Sequence, residues 1–212
     1  EITTRLVGSE MCIRDSTNAP VRRDLMDEID WSDRLIGIKG TRGVGKTTFL
    51  LQYAKEKFGT DRSCLFINMN NFYFSGHSIV DFANEFQKRG GKVLLIDQVF
   101  KHPEWSKELR MCYDRYPNLK IVFTGSSVMR LKEENLELRD IAKSYNLRGF
   151  SFREFLNLQT GMKFRAYSLE EILSTHEQIA KGVLSKVRPL DYFQDYPVSY
   201  THLRAHETRS NL

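Results

Sequence analysis

Apolar and polar positions along this chain switch repeatedly between two periods. Leu35-Ile36-Gly37-Ile38, Ser63–Asn68, Lys92–Asp97 and Leu119–Thr124 are short, almost continuous apolar runs rich in Val, Ile, Leu and Phe. Such runs predict strands buried on both faces. Between them the spacing turns helical. Thr48–Lys55 has it, and so does Ile79–Arg89, with Ile79, Val80, Phe82, Ala83 and Phe86 apolar. Trp105–Tyr116 places Trp105, Leu109 and Cys112/Tyr113 on one face. Gly90-Gly91 ends the second of these helices. Asn68–Ser78 is polar, aromatic and rich in turn formers, which predicts a loop. Strands alternating with helices predict an α/β fold, a parallel sheet with right-handed crossovers.

The pattern is weaker on either side of this block. Asp24–Asp33 is a charged entry segment with Trp31 as a local anchor. Leu131–Asp140 is highly charged and is expected as a mobile helix or loop. Ser144–Phe150 is expected as a fifth strand, and Phe152-Arg153-Glu154-Phe155-Leu156 as the start of a short helix ending near Gly161. Ser168-Leu169-Glu170-Glu171 is a capping box that opens a helix running towards Lys186. Leu169, Ile172, Leu173, Ile179 and Leu184 would leave that helix an apolar face partly uncovered. The chain has no internal repeats or low-complexity stretches.

The chemistry enters between the first strand and the first helix. Gly40-Thr41-Arg42-Gly43-Val44-Gly45-Lys46-Thr47, followed by Thr48, fits the phosphate-binding pattern G-x-x-x-x-G-K-[ST] without mismatch. Its glycines let the backbone curl so that successive N–H groups converge on one anion. Lys46 is a mobile charge for the β- and γ-phosphates, and the Thr47 hydroxyl is a ligand for Mg²⁺. A helix beginning at Lys46 adds its positive dipole end. Strand, glycine loop and helix in succession are the context that this pattern requires.

Asp97 closes the apolar run Val93-Leu94-Leu95-Ile96. At the C-terminal tip of a parallel strand it would face the loop and hold Mg²⁺, directly or through water. The competing reading is a helix-capping aspartate. About fifty residues separate Lys46 from Asp97, with a strand and a helix between them, which fits the P-loop branch with an extra strand between the two motifs.

With these residues the chain resembles the bacterial and archaeal AAA-type ATPases whose ATPase core precedes a C-terminal domain of unsettled, nuclease-like function. The carriers are Gly40–Thr48, Leu94–Asp97 with Lys101 and Trp105, Phe123-Thr124-Gly125-Ser126-Ser127, and Gly149-Phe150-Ser151-Phe152-Arg153-Glu154-Phe155-Leu156. They cover most of Trp31–Tyr196. The resemblance implies ATP and Mg²⁺ as cofactors, a cytoplasmic setting and an assembly open to homo-oligomers. It makes Lys46, Gln98, Thr124 and Ser126 the candidate catalytic residues. Thr124–Ser126 fall at the sensor position that reads the γ-phosphate or aligns water; the alternative is a strand ending in a Gly-Ser turn. Arg139, Arg148 and Arg153 are candidates for an arginine finger or plain surface charges.

One departure bears on function. The family has Asp-Glu where this chain has Asp97-Gln98, and Phe100 stands where a polar residue such as His is expected. The glutamate polarises attacking water as a general base. An amide orients water but cannot take its proton. ATP hydrolysis is therefore the first expectation, and a nucleotide-binding switch with slow or no turnover is the alternative.

Both ends read as translated sequencing adapter. Codons that encode Leu6–Asp15 translate, in reverse complement, as Val198–Glu207. Residues 1–16 and 197–212 are accordingly set outside the fold, and Cys12, His202 and His206 carry no function. Thr17–Tyr196 then reads as a metagenomic fragment: an ATPase core over 17–150, and a helical extension over 151–196 that leads into a further domain. The net charge of +5 permits nucleic acid as a partner without indicating it. No apolar run approaches the ~20 residues of a membrane span. Cys64 and Cys112 lie in strand-like and helix-like runs, which makes them packing residues rather than a disulfide. His77, His102 and His176 read as isolated surface or packing residues.

Overall fold

The computed structural model of the chain describes residues 21–126 and 135–196. The adapter-like ends, Ser127 and the first part of Leu131–Asp140 lie outside the described residues. A short helix α1 (Leu25–Glu28) precedes β1 (Leu35–Gly40) and α2 (Lys46–Phe58). Then follow β2 (Cys64–Asn68), α3 (Ile79–Lys88), β3 (Val93–Asp97), α4 (Trp105–Arg115), β4 (Lys120–Ser126) and β5 (Lys143–Asn146). Helices α5 (Phe152–Thr160) and α6 (Leu169–Leu184) complete the series.

The strands form one parallel sheet in the order β2-β3-β4-β1-β5. β4 thus lies between β1, which leads into the glycine loop, and β3, which ends in Asp97. This is the α/β P-loop NTPase fold in its additional-strand branch, with flanking helices and a small helical region after it.

Alternation along each strand feeds two apolar layers. Leu65, Ile67, Leu94, Ile96, Ile121 and Phe123 point to the layer that contains Leu109 of α4 and the Ile79–Phe86 face of α3. Cys64, Phe66, Val93, Leu95 and Val122 point to the layer that contains Phe49, Leu50 and Tyr53 of α2. Phe49 and Phe123 are essentially fully enclosed. Each such side chain contributes about 1.5–3 kcal/mol through burial. Trp31 anchors the entry segment as expected: it stacks on Tyr53 at 3.8 Å and donates from Nε1 to the Met26 carbonyl at 2.8 Å.

Two elements differ from the sequence reading. β5 pairs only over Lys143–Asn146, with Leu147 N–H still reaching the Lys39 carbonyl at 2.8 Å. β1 ends at Gly40, where the glycine loop begins, so it offers no strand edge beyond Leu147. The loop after β2 contains a 3₁₀ turn, Phe72–Ser75, which Asn71 starts by accepting from Tyr73 N–H at 3.0 Å.

The described residues divide into two compact units, one within 24–148 and a second built from 21–23 and 149–196. Within the second, Ser151 and Glu154 form a capping box at the start of α5, and Gly161 ends it at φ 67°. Arg23 Nε donates to Glu154 Oε1 at 3.1 Å, its Nη2 donates to the Gly149 carbonyl at 3.2 Å, and its guanidinium lies over the Phe150 ring. Both partners of this ion pair are more than nine-tenths buried. The capping box at Ser168 is formed with Glu171, and α6 is kinked at Thr175. No residue of α6 is buried, and Leu169, Ile172, Leu173 and Leu184 are exposed.

Candidate functional site

The glycine loop owes its shape to positions where a side chain is excluded. A Cβ on Gly40 would lie 2.5 Å from the Leu147 carbonyl oxygen and 2.9 Å from Val44 Cγ1. Gly43 and Gly45 have φ of 82° and 90°, which L side chains rarely adopt. Gly45 is also the N-cap of α2 and brings no side-chain acceptor to it. The first-turn N–H groups of a helix have no partner within the helix. Here no cap side chain takes them, and a Cβ at Gly45 would meet nothing within 4 Å. The loop is therefore a concave set of backbone donors with the positive end of α2 behind it.

Lys46 spans the loop, with Nζ donating to the Gly40 carbonyl at 2.9 Å and the Thr41 carbonyl at 2.8 Å. Thr41, Arg42 and Thr48 are exposed, whereas Gly43, Val44, Gly45, Lys46 and Thr47 are half-buried.

The same alternation that fills the core also assembles the polar tip. Asp97 follows Val93 and Leu95 by steps of two, Thr124 follows Val122, and Asn68 follows Cys64 and Phe66. All three therefore emerge on the α2 side of the sheet, at the C-terminal ends of β3, β4 and β2. Asn68 and Asp97 are direct partners in the β2–β3 register.

Asp97 is almost fully buried, and both its carboxylate oxygens are engaged. Oδ2 accepts from Thr47 Oγ1 at 2.7 Å and from Asn68 Nδ2 at 3.1 Å. Oδ1 accepts from Thr124 Oγ1 at 2.5 Å. Asp97 thus spends its acceptors on side chains of the tip. Thr124 is fully buried, and its oxygen accepts the Gln98 N–H at 2.9 Å while its proton goes to Asp97. Its hydroxyl faces Asp97 and Gln98, not the open side of the loop. Ser126 is half-buried at the tip of β4, beside Gly40 in the register.

Gln98 stands out in the backbone. Its φ of 55° makes it the one non-glycine residue with positive φ among the described residues. Such a conformation costs about 1–3 kcal/mol and persists where neighbours over-determine it. Thr124 holds its N–H, and Asn70 Nδ2 donates to its side-chain Oε1 at 3.0 Å.

Asn68, read as the end of the second strand, and Asn70, left in a loop, are therefore parts of this tip to which the sequence reading gave no role. The signal for Asn68 lay in its parity with Phe66; Asn70 carried none. Of the arginine candidates, Arg139 and Arg148 are exposed, and Arg153 is half-buried at the start of α5. His102 is not isolated as expected. It is buried, and its Nε2 lies 3.1 Å from Glu108 Oε1, because the 3₁₀ turn Val99–Lys101 carries it against α4. His77 is exposed and stacked on Tyr73. Cys64 and Cys112 are free and buried, and burial pushes the Cys112 thiol up to about 12. A thiol in that state is a poor nucleophile, so Cys112 packs.

Among the described residues no helix is long and apolar enough to cross a membrane. None of the curated proteins matches the chain. Among solved structures, one titled "Structure of C. elegans PCH-2" is similar at 16% identity and a TM-score of 0.46. The alignment covers 76% of this chain and 56% of that one, so the chain spans little more than half of that relative's length. A family model described as an AAA domain matches residues 32–156.

Proposed function

The chain belongs to the AAA domain family, whose members are ATP-binding ATPase modules, and from that premise we propose a Mg·ATP site at the tip of β1, β3 and β4. The observation that carries this reading is the Thr47–Asp97 hydrogen bond, which joins the start of α2 to the end of β3. Because Thr47 gives its proton to Asp97, its oxygen lone pairs remain for a cation. Among the described residues no three His, Cys, Asp or Glu side chains converge. The donor set is instead one hydroxyl and one carboxylate, which leaves most of a cation's coordination to water and phosphate oxygens. That composition suits Mg²⁺, which keeps several waters and takes few protein ligands.

In this reading the Gly40–Thr48 backbone cradles the phosphates, and Lys46 leaves the Gly40 and Thr41 carbonyls to meet them. Mg²⁺, when bound, neutralises charge on the phosphate oxygens. Thr47 and Asp97 position it, Asp97 acting through Thr47 and through water. Thr124 is a positioning residue that holds the Asp97 carboxylate and the Gln98 backbone at once. Ser126, beside Gly40, is the sensor candidate with a half-exposed hydroxyl. Gln98 orients water but cannot accept its proton, so turnover is slow.

In the same proposal the module couples nucleotide state to a C-terminal domain of the kind the resemblance implies, with residues 151–196 as a helical extension of the core. Completion of the site by an arginine from Arg139, Arg148 or Arg153 of a neighbouring copy belongs to the same proposal. The second reading, a nucleotide-held switch without physiological turnover, is favoured by one feature, Gln98. A nucleic-acid module has only the +5 charge in its support.

The test is binding. Lys46→Ala is expected to weaken ATP in a calorimetric titration by roughly 10- to 150-fold, since charge-assisted contacts contribute about 1.5–3 kcal/mol each. The thermal midpoint should stay in place, because Lys46 sits on the loop and not in either apolar layer. Equal affinity in wild type and variant would remove the assignment.

A further inference from the structure

We infer that Asn68 is a positioning residue for the cation half of this site, acting through Asp97; the inference rests on the Mg·ATP reading above. Its amide orientation follows from its neighbours. Asn70 N–H can only donate, and it reaches Asn68 Oδ1 at 2.8 Å. The carbonyl end is thereby committed to an Asx turn, and the NH₂ end is left for Asp97 Oδ2 at 3.1 Å, an oxygen that only accepts. The two requirements agree, so both ends of the amide are held.

The oxygen that Asn68 holds is the one that also receives the Thr47 proton. With Thr124 on Oδ1, the carboxylate has a donor on each oxygen and cannot rotate without losing one of them. Asn68 thus decides which lone pair of Oδ2 faces Thr47, and so where the Thr47 oxygen presents its own lone pairs. The turn that Asn68 begins also carries Asn70, whose NH₂ holds the Gln98 side chain. A closed circuit results, running Asp97, Asn68, Asn70, Gln98, Thr124 and back to Asp97, across the ends of three adjacent strands. Asn68 itself touches no phosphate-facing element of the loop in this circuit. Its effect should therefore fall on the dependence on Mg²⁺ and not on phosphate binding as such.

The experiment measures ATP affinity of the full chain by titration, once with Mg²⁺ and once with EDTA. The quantity read is the ratio of the two. Asn68→Ser keeps a side-chain oxygen that can start the turn but is too short to reach Asp97. Groups that hold a metal ligand in place typically matter by 10–100-fold. Asn68→Ser should accordingly reduce the Mg²⁺-to-EDTA affinity ratio by about 10-fold or more, with EDTA affinity and thermal midpoint close to wild type. Asn68→Ala, which loses the turn as well, should lower the ratio at least as far. If wild type binds ATP with the expected Mg²⁺ dependence and Asn68→Ser keeps that ratio, the role of Asn68 is overturned while the site stands. If wild type itself shows no Mg²⁺ dependence, the reading of the site fails and this inference with it. A variant in which the EDTA affinity falls as far as the Mg²⁺ affinity would also overturn it, because Asn68 would then be shaping the loop.

Discussion

Gln98→Glu is expected to raise single-turnover phosphate release by about 10²–10⁴-fold, the usual contribution of a general base. ATP affinity should change little, because a base acts mainly on the transition state. The backbone makes the substitution informative. Thr124 holds the Gln98 N–H in its left-handed conformation, and that bond does not depend on the side chain. Asn70 Nδ2 can donate to a carboxylate as it does to the amide oxygen. The new carboxylate would therefore arrive where the amide stands. Brisk hydrolysis with Gln98 in place, and no gain from glutamate, would show that another residue activates the water.

Glu154→Ala is expected to cost the second unit about 1.5–3 kcal/mol, read as a loss of unfolding free energy in denaturant, because it removes a charge-assisted hydrogen bond to a buried guanidinium. Glu154 does three things at once. It accepts from Arg23, it accepts from the Ser151 N–H at 2.7 Å, and its own N–H donates to the Ser151 hydroxyl oxygen at 3.2 Å. Replacing both ends of a buried pair by apolar residues is often close to neutral. Arg23→Leu with Glu154→Leu should accordingly recover most of the loss. A Glu154→Ala variant as stable as wild type would mean that the pair is compensated by water.

The two cases differ in how far the sequence reaches. The strands, their alternation and the P-loop are local patterns, and the placement of Asp97 at a strand tip followed from them. Its bond to Thr47 lies across fifty residues and was not anticipated, because the sequence reading related the two only through Mg²⁺. The insertion of β4 between β1 and β3 rested on motif spacing and family resemblance. No run of residues states which strand is its neighbour. Thr124 was visible as the end of a strand, yet only the neighbouring β3 reveals that its hydroxyl is spent on Asp97 and Gln98.

Ser151 shows a signal that was present and unread. Ser151-Phe152-Arg153-Glu154 has the same S-x-x-E form as Ser168-Leu169-Glu170-Glu171, and both make capping boxes. Arg23 offered no such signal, since 131 positions separate it from Glu154. β5 came out short because its length is limited by β1, which a single-strand pattern cannot express. The apolar positions of α6 were read correctly as exposed for Leu169, Ile172, Leu173 and Leu184.

The central claim is that Mg·ATP sits on the Gly40–Thr48 loop against Asp97. Backbone hydrogen exchange of the full chain, with and without Mg·ATP, tests it most directly. Saturable protection is predicted over residues 43–49, where the first-turn N–H groups of α2 meet phosphate, with smaller protection at Gln98 and Asn70. Protection confined to other segments, or none at concentrations that saturate binding, would contradict it.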